Sequence, residues 1–229
     1  ALEQDPENAL ILAELARIKV YSSKLLSTQD QVYQRLLEAL EDIQKAAELA
    51  PDDSTVHAIY SLVLDWLATS GKVTPDERDD YLTAAYEQAV RARQLDPDNP
   101  LTLAFYAEIS LDQQNWTQAQ QYAKQAVELG PNLMDTHRVY GTVLESIGAY
   151  RDAIEQYQLA AEINPNLTFL YIQIGVTYRH LAGNNPQSPL YLQALEYFER
   201  AANINNQIGV KDPLPYIAIA KTYSQMGEF

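Results

Sequence analysis

The chain contains no cysteine. Disulfides, thiolate metal sites and thiol nucleophiles are therefore excluded, while the redox compartment stays open. Glycine is scarce, eight in 229 residues, and none of the eight sits in a phosphate-binding loop. No run of about 18 apolar residues occurs, so the sequence offers no membrane-crossing helix. No basic, apolar, small-residue leader opens it, which favours a cytoplasmic protein unless a signal or anchor precedes residue 1. Basic residues are also in deficit: 16 Lys+Arg face 31 Asp+Glu, a formal net charge of −15. Such a surface repels nucleic acid and anionic lipid and favours neutral or basic partners. What remains is ordinary globular material, 47% hydrophobic and 21% charged, with ample apolar content for a core.

An internal repeat organises that material. Alanines seven residues apart recur at Ala39/Ala46, Ala85/Ala92, Ala119/Ala126, Ala153/Ala160 and Ala194/Ala201. Proline follows five residues later at Pro51, Pro97, Pro131 and Pro165, with Asn206 in the fifth copy. The spacing from Pro97 to Pro131, and again from Pro131 to Pro165, is 34 residues. Paired antiparallel helices, A then B, explain the pattern. Small residues on helix B allow close approach of helix A. Proline ends helix B and opens the next repeat.

These residues resemble the tetratricopeptide repeat family, whose pattern places an aromatic, a small residue and a tyrosine on helix A, then Ala-x3-Phe and Ala…Pro on helix B. The best copies read His137, Tyr140, Gly141, Leu144, Ala153, Tyr157, Ala160, Pro165, and Tyr171, Ile174, Gly175, Tyr178, Ala194, Phe198, Ala201. The small helix A residue is Ala16, Ser61, Ala107, Gly141, Gly175 and Ala220 in turn. The Trp slot never holds Trp, and Lys19 and Ser110 stand in the Tyr slot.

The resemblance implies an all-α, right-handed superhelical solenoid of antiparallel hairpins. It predicts one array over 1–229, about five repeats (7–51, 52–97, 98–131, 132–165, 166–206) and a final helix over 213–227. Residues 1–6 read as the end of a preceding helix B, so the chain reads as a fragment of a longer protein. Copies one, two and five are longer by 11, 12 and 7 residues, all between helix A and helix B. These insertions are expected to line one rim. Thr74-Pro75-Asp76-Glu77 reads as a capping box with proline at the first helical position.

In this family the free side of helix A lines a concave partner-binding surface. That mapping selects Ile59, Leu62, Asp65, Trp66, Leu101, Phe105, Glu108, Asp112, Asp135, Arg138, Phe169 and Arg179. An apolar patch (Ile59, Leu62, Trp66, Leu101, Phe105, Leu111) with acidic neighbours implies a protein or peptide partner, apolar with basic flanks. The alternative is tight curvature that buries these residues between neighbouring helices A. A clamp for a C-terminal carboxylate is disfavoured, because the lining has no Asn and its cations are dispersed.

No catalytic constellation, metal set or cofactor motif stands out. His57 and His137 occupy the Trp slot and read as packing between helices. The run Asp76, Glu77, Asp79, Asp80 lacks the alternation and central glycine of a calcium loop and reads as a helix start. The expected function is a non-catalytic scaffold. Alternatives are self-assembly through the final helix, giving a homo-oligomer, or an adaptor region of a larger enzyme or signalling protein.

Overall fold

The computed structural model describes residues 8–227. The expectation for residues 1–6 lies outside them. Among the described residues there are eleven α-helices and no strand: α1 (Ala9–Ser23), α2 (Gln29–Leu49), α3 (Ser54–Ala68), α4 (Pro75–Leu95), α5 (Pro100–Asp112), α6 (Trp116–Leu129), α7 (Met134–Ser146), α8 (Tyr150–Ile163), α9 (Thr168–Ala182), α10 (Leu190–Gln207) and α11 (Leu214–Met226). No helix among them is long and apolar enough to cross a membrane.

The proline column sets the helix B ends. Helices α2, α4, α6 and α8 each stop two residues before Pro51, Pro97, Pro131 and Pro165. The residue before proline is pushed out of the α region, so the helix closes there. The fifth copy tests the rule from within. With Asn206 in place of proline, α10 runs to Gln207, three residues past the register of α8.

Side-chain caps open the early helices. The carboxamide, hydroxyl or carboxylate of Asn8, Thr28, Asp53 and Asn99 accepts from a first-turn backbone N–H. At Thr74 the full capping box forms. The Thr74 N–H donates to Glu77 Oε2 at 2.8 Å, and the Glu77 N–H donates to Thr74 Oγ1 at 3.3 Å. The Thr74 N–H first, and then the Thr74 hydroxyl, which also donates to Glu77 Oε2 at 2.8 Å, hold the Glu77 carboxyl below its ordinary pKa.

The extra residues of the first two copies go mostly into helix. Helices α2 and α4 have 21 residues, against 14 in α6 and α8. The two lengthened loops meet, Lys72 Nζ lying 2.5 Å from Asp30 Oδ1.

Contacts divide the chain after Pro131 into two compact units, Ala1–Pro131 and Asn132–Phe229. In the first unit each helix A packs on its helix B, and α3 also packs directly on α1 and α5. In the second, α7 packs on α8, α9 on α8 and α10, and α11 on α10 and α9. Each hairpin is buried along its small residues: Ala16, Ala107, Ala39, Ala85, Ala119, Ala153 and Ala194 are fully enclosed.

Candidate functional site

The helix A face of the first unit is closer-packed than an open groove. Ile59, Leu62 and Phe105 are no more than 1% exposed, and Leu101 is buried too. The direct packing of α3 against both α1 and α5 is the reason. These four residues belong to the core, and the accessible part of the face is its polar end.

That end is built where α3 and α5 finish. Trp66 is half-buried and meets Tyr21 of α1 edge-on, with ring centroids 5.5 Å apart. Lys24, just past α1, places its Nζ 4.6 Å from the Trp66 ring centre. Beside Trp66, Asp65 is buried at 5% exposure. The Asp112 carboxyl interacts with those of Asp65 and Glu108. The Asp112 carboxyl is held above its usual range, first by loss of solvent and further by the nearby Glu108, while Asp65 and Arg78 pull the other way. Neither helix carries a basic residue in its last turn. The partial negative charge of two helix C-termini therefore adds to that of three carboxyl groups.

The second unit presents a different face. Glu145 of α7 is its hub. Tyr157 of α8 donates its hydroxyl to Glu145 Oε2 at 2.9 Å, and Gln173 of α9 donates to the same oxygen at 2.5 Å. His180 Nδ1 lies 3.1 Å from Glu145 Oε1, with its ring against Tyr150. Burial, reinforced by Glu145, pushes the Tyr157 phenol far above its ordinary pKa, so it stays a neutral donor. Of the residues expected to line this face, Asp135 and Arg138 are buried, while Phe169 and Arg179 are half-buried. The Arg179 guanidinium stands 6.0 Å from the Phe198 ring centre. Burial holds it below the usual arginine range, against the opposing effect of Tyr191.

Both Trp-slot histidines are buried and bonded to the partner helix. His57 Nδ1 meets Gln88 Oε1 at 2.6 Å, and His137 Nδ1 meets Gln156 Oε1 at 2.8 Å. Allowing for the insertion, Gln88 and Gln156 occupy one register on helix B, so this is a single repeated contact. Among the described residues no group of three His, Asp or Glu is placed to hold a metal ion.

One arrangement was not anticipated from the sequence. On the helix B side of the second unit, α8, α9 and α10 enclose a cleft of about 440 Å³ lined in part by Gln158, Glu162, Tyr171, Tyr197 and Arg200. Only Tyr171 belonged to a recognised repeat column. The others sit on helix B positions that the repeat pattern leaves open.

No protein-family model matches the sequence, and no curated protein matches it. Solved structures do. Human IFIT1, solved as a dimer with PPP-AAAA, superposes at TM-score 0.66 with 18% identity over 87% of this chain and 46% of IFIT1. The chain thus spans about half the length of that protein. The protein TTC0263 of Thermus thermophilus, described as a thermophilic TPR protein, superposes at TM-score 0.56 with 19% identity, over 77% of this chain and 84% of that one. At these identities the likeness is one of fold.

Proposed function

For a chain with the tetratricopeptide-type fold, we propose a non-catalytic protein-interaction scaffold whose first unit receives a cationic side chain of a peptide or protein partner. The observation that carries this reading is the gathering of Asp65, Glu108 and Asp112 at the C-terminal ends of α3 and α5, where Trp66 follows Asp65 in α3. Acidic groups at helix C-termini work against the fold. A partner's Lys or Arg would relieve that repulsion, favour the ionised form of Asp112, and lay its aliphatic stem on the Trp66 ring. The partner reads as apolar with basic flanks. The −15 charge argues against a polyphosphate ligand of the kind present with IFIT1.

A Leu-Lys-Leu-type peptide tests the reading. Trp66→Ala, and separately Asp65→Asn with Asp112→Asn, should weaken its capture at least fivefold with a folded chain retained. Binding should strengthen as pH rises from about 4.5 to 7, because the partner displaces a proton from a carboxyl whose pKa is raised. Unchanged binding in both variants would sink the groove.

A second reading rests on α11. Leu214, Tyr216 and Ile217 are each about half exposed on it, and Ala220, in the column where Gly141 and Gly175 meet helix B, is exposed as well. This unpartnered face suits self-association. Ile217→Glu should then abolish any concentration-dependent rise in mass measured by light scattering. A chain that is monomeric at every concentration removes this reading.

A further inference from the structure

The cleft between α8, α9 and α10 holds polar groups that the fold itself leaves without partners. Tyr171 is 1% exposed, and its hydroxyl has no hydrogen-bond partner. A buried hydroxyl without a partner is costly and uncommon in a native fold, which marks it as reserved for something. Arg200 stacks its guanidinium on the same ring, 4.5 Å from its centre. Arg200 is exposed and forms no ion pair among the described residues, so its fork of N–H donors faces solvent beside the Tyr171 ring. Glu162 of α8, also exposed and lining the cleft, is likewise without an ion pair among the described residues. Gln158 donates to the Tyr197 hydroxyl at 2.6 Å, which fixes one wall. Ala161, Pro165 and Ile174 supply the apolar remainder.

An unpaired cation, an unpaired anion and an unsatisfied phenol around apolar surface match one class of small molecule. We propose that this cleft binds a zwitterion, an α-amino acid with an apolar side chain. Its carboxylate takes the Arg200 guanidinium and the Tyr171 hydroxyl, its ammonium faces Glu162, and its side chain lies on Ala161, Pro165 and Ile174. A volume of about 440 Å³ is within the range of small-molecule sites. A simple anion fits less well, because Glu162 repels it. A simple cation fits less well, because Arg200 does. The site shares no residue with the carboxylates of the first unit, so the two proposals fail independently.

The test uses the full chain and three probes: L-leucine, N-acetyl-L-leucine and L-leucinamide, titrated by amide-resolved NMR. L-leucine should give saturable shifts confined to α8, α9 and α10. Each blocked probe should bind at least about tenfold more weakly, since each loses one charge-assisted contact. Arg200→Gln should cost a similar factor. Tyr171→Phe separates a ligand role from a structural one. It should weaken leucine about threefold or more, yet leave the melting midpoint unchanged or higher, because the hydroxyl it removes has no partner in the fold. No saturable binding of L-leucine, equal binding of either blocked probe, or a Tyr171→Phe chain that melts several degrees lower would overturn the proposal.

Discussion

The two units build the same hairpin from opposite materials. In the first, 10 Lys+Arg face 22 Asp+Glu, a formal −12; in the second, 6 face 9, a formal −3. Where helix A crosses helix B, the first unit sets Ala16, Ser61 and Ala107 in register with Ile43, Ala89 and Ala123, all buried. The second unit sets glycine against a ring. A Cβ on Gly141 would stand 2.7 Å from the Tyr157 ring, and one on Gly175 would collide with Phe198. Ala or Ser against Ala or Ile, or glycine against a ring, fills the same gap. The helix A faces differ in step. α3 is packed directly between α1 and α5, whereas α9 reaches α7 through the polar side chains of Gln173 and His180 on Glu145. One column of the repeat thus tolerates two solutions only if both partners change together.

The largest effect should come from mixing those solutions. Phe198→Ala leaves a hole over Gly175 and should cost about 3–5 kcal/mol in chemical denaturation. Gly175→Ala alone should cost about 1–3 kcal/mol, since the ring cannot retreat from a buried site. Made together, the two give the Ala–Ala pair of the first unit. In that background Gly175→Ala should change sign and recover about 1 kcal/mol, the ordinary helix preference for alanine. A double-mutant cycle measures the coupling. Simple additivity would show that glycine and ring are not a matched pair.

The polar hub comes next. Glu145→Ala strips the acceptor from Tyr157, Gln173 and His180. It should destabilise the chain by about 1–3 kcal/mol, because the Tyr157 donor is buried. Glu145→Gln, which keeps an acceptor, should recover most of the loss. In the first unit the matching contrast is Thr74→Ala. It removes an exposed capping box and should cost about 1 kcal/mol.

How much of this was legible follows from how local each cause is. The proline column acts on its own helix, so helix ends at Leu49, Leu95, Leu129 and Ile163 could be read from spacing. The extension of α10 past Asn206 follows from the same rule. The capping box at Thr74 and the buried setting of His57 and His137 were legible for the same reason. The enclosure of Ile59, Leu62 and Phe105 was not. It depends on how closely α1, α3 and α5 approach each other, and that distance is set by every contact along three helices at once. The Tyr171–Arg200 cleft was not legible either. Tyr171 follows a repeat column, but Arg200, Gln158 and Glu162 obey none, and an unsatisfied hydroxyl shows only once all hydrogen bonds are known. Asp65, Glu108 and Asp112 stand between these cases. Their shared face was readable from spacing, but the burial that raises the Asp112 pKa was not.

The smallest effect tests that acidic cluster against the rest of its unit. Most acidic residues there lie in solvent, and neutralising one should change stability little. Asp112 should differ in sign. Its carboxyl is raised in the folded chain, mainly by loss of solvent and by Glu108. A group with a raised folded pKa gives stability that is fully present below its unfolded pKa and is lost as pH rises through the folded one. Ionised at neutral pH, it opposes folding. Asp112→Asn should therefore stabilise the chain at pH 7, by no more than about 1 kcal/mol because Asp112 keeps an exposed surface and is partly screened. The gain should shrink as the pH is lowered toward about 4, near the ordinary carboxylate range. The same change should weaken capture of a cationic peptide, so stability and binding move in opposite directions. A loss of stability at pH 7 would mean that the fold needs the Asp112 carboxylate, and the reading of these carboxyls as groups held for a partner's cation would fall with it.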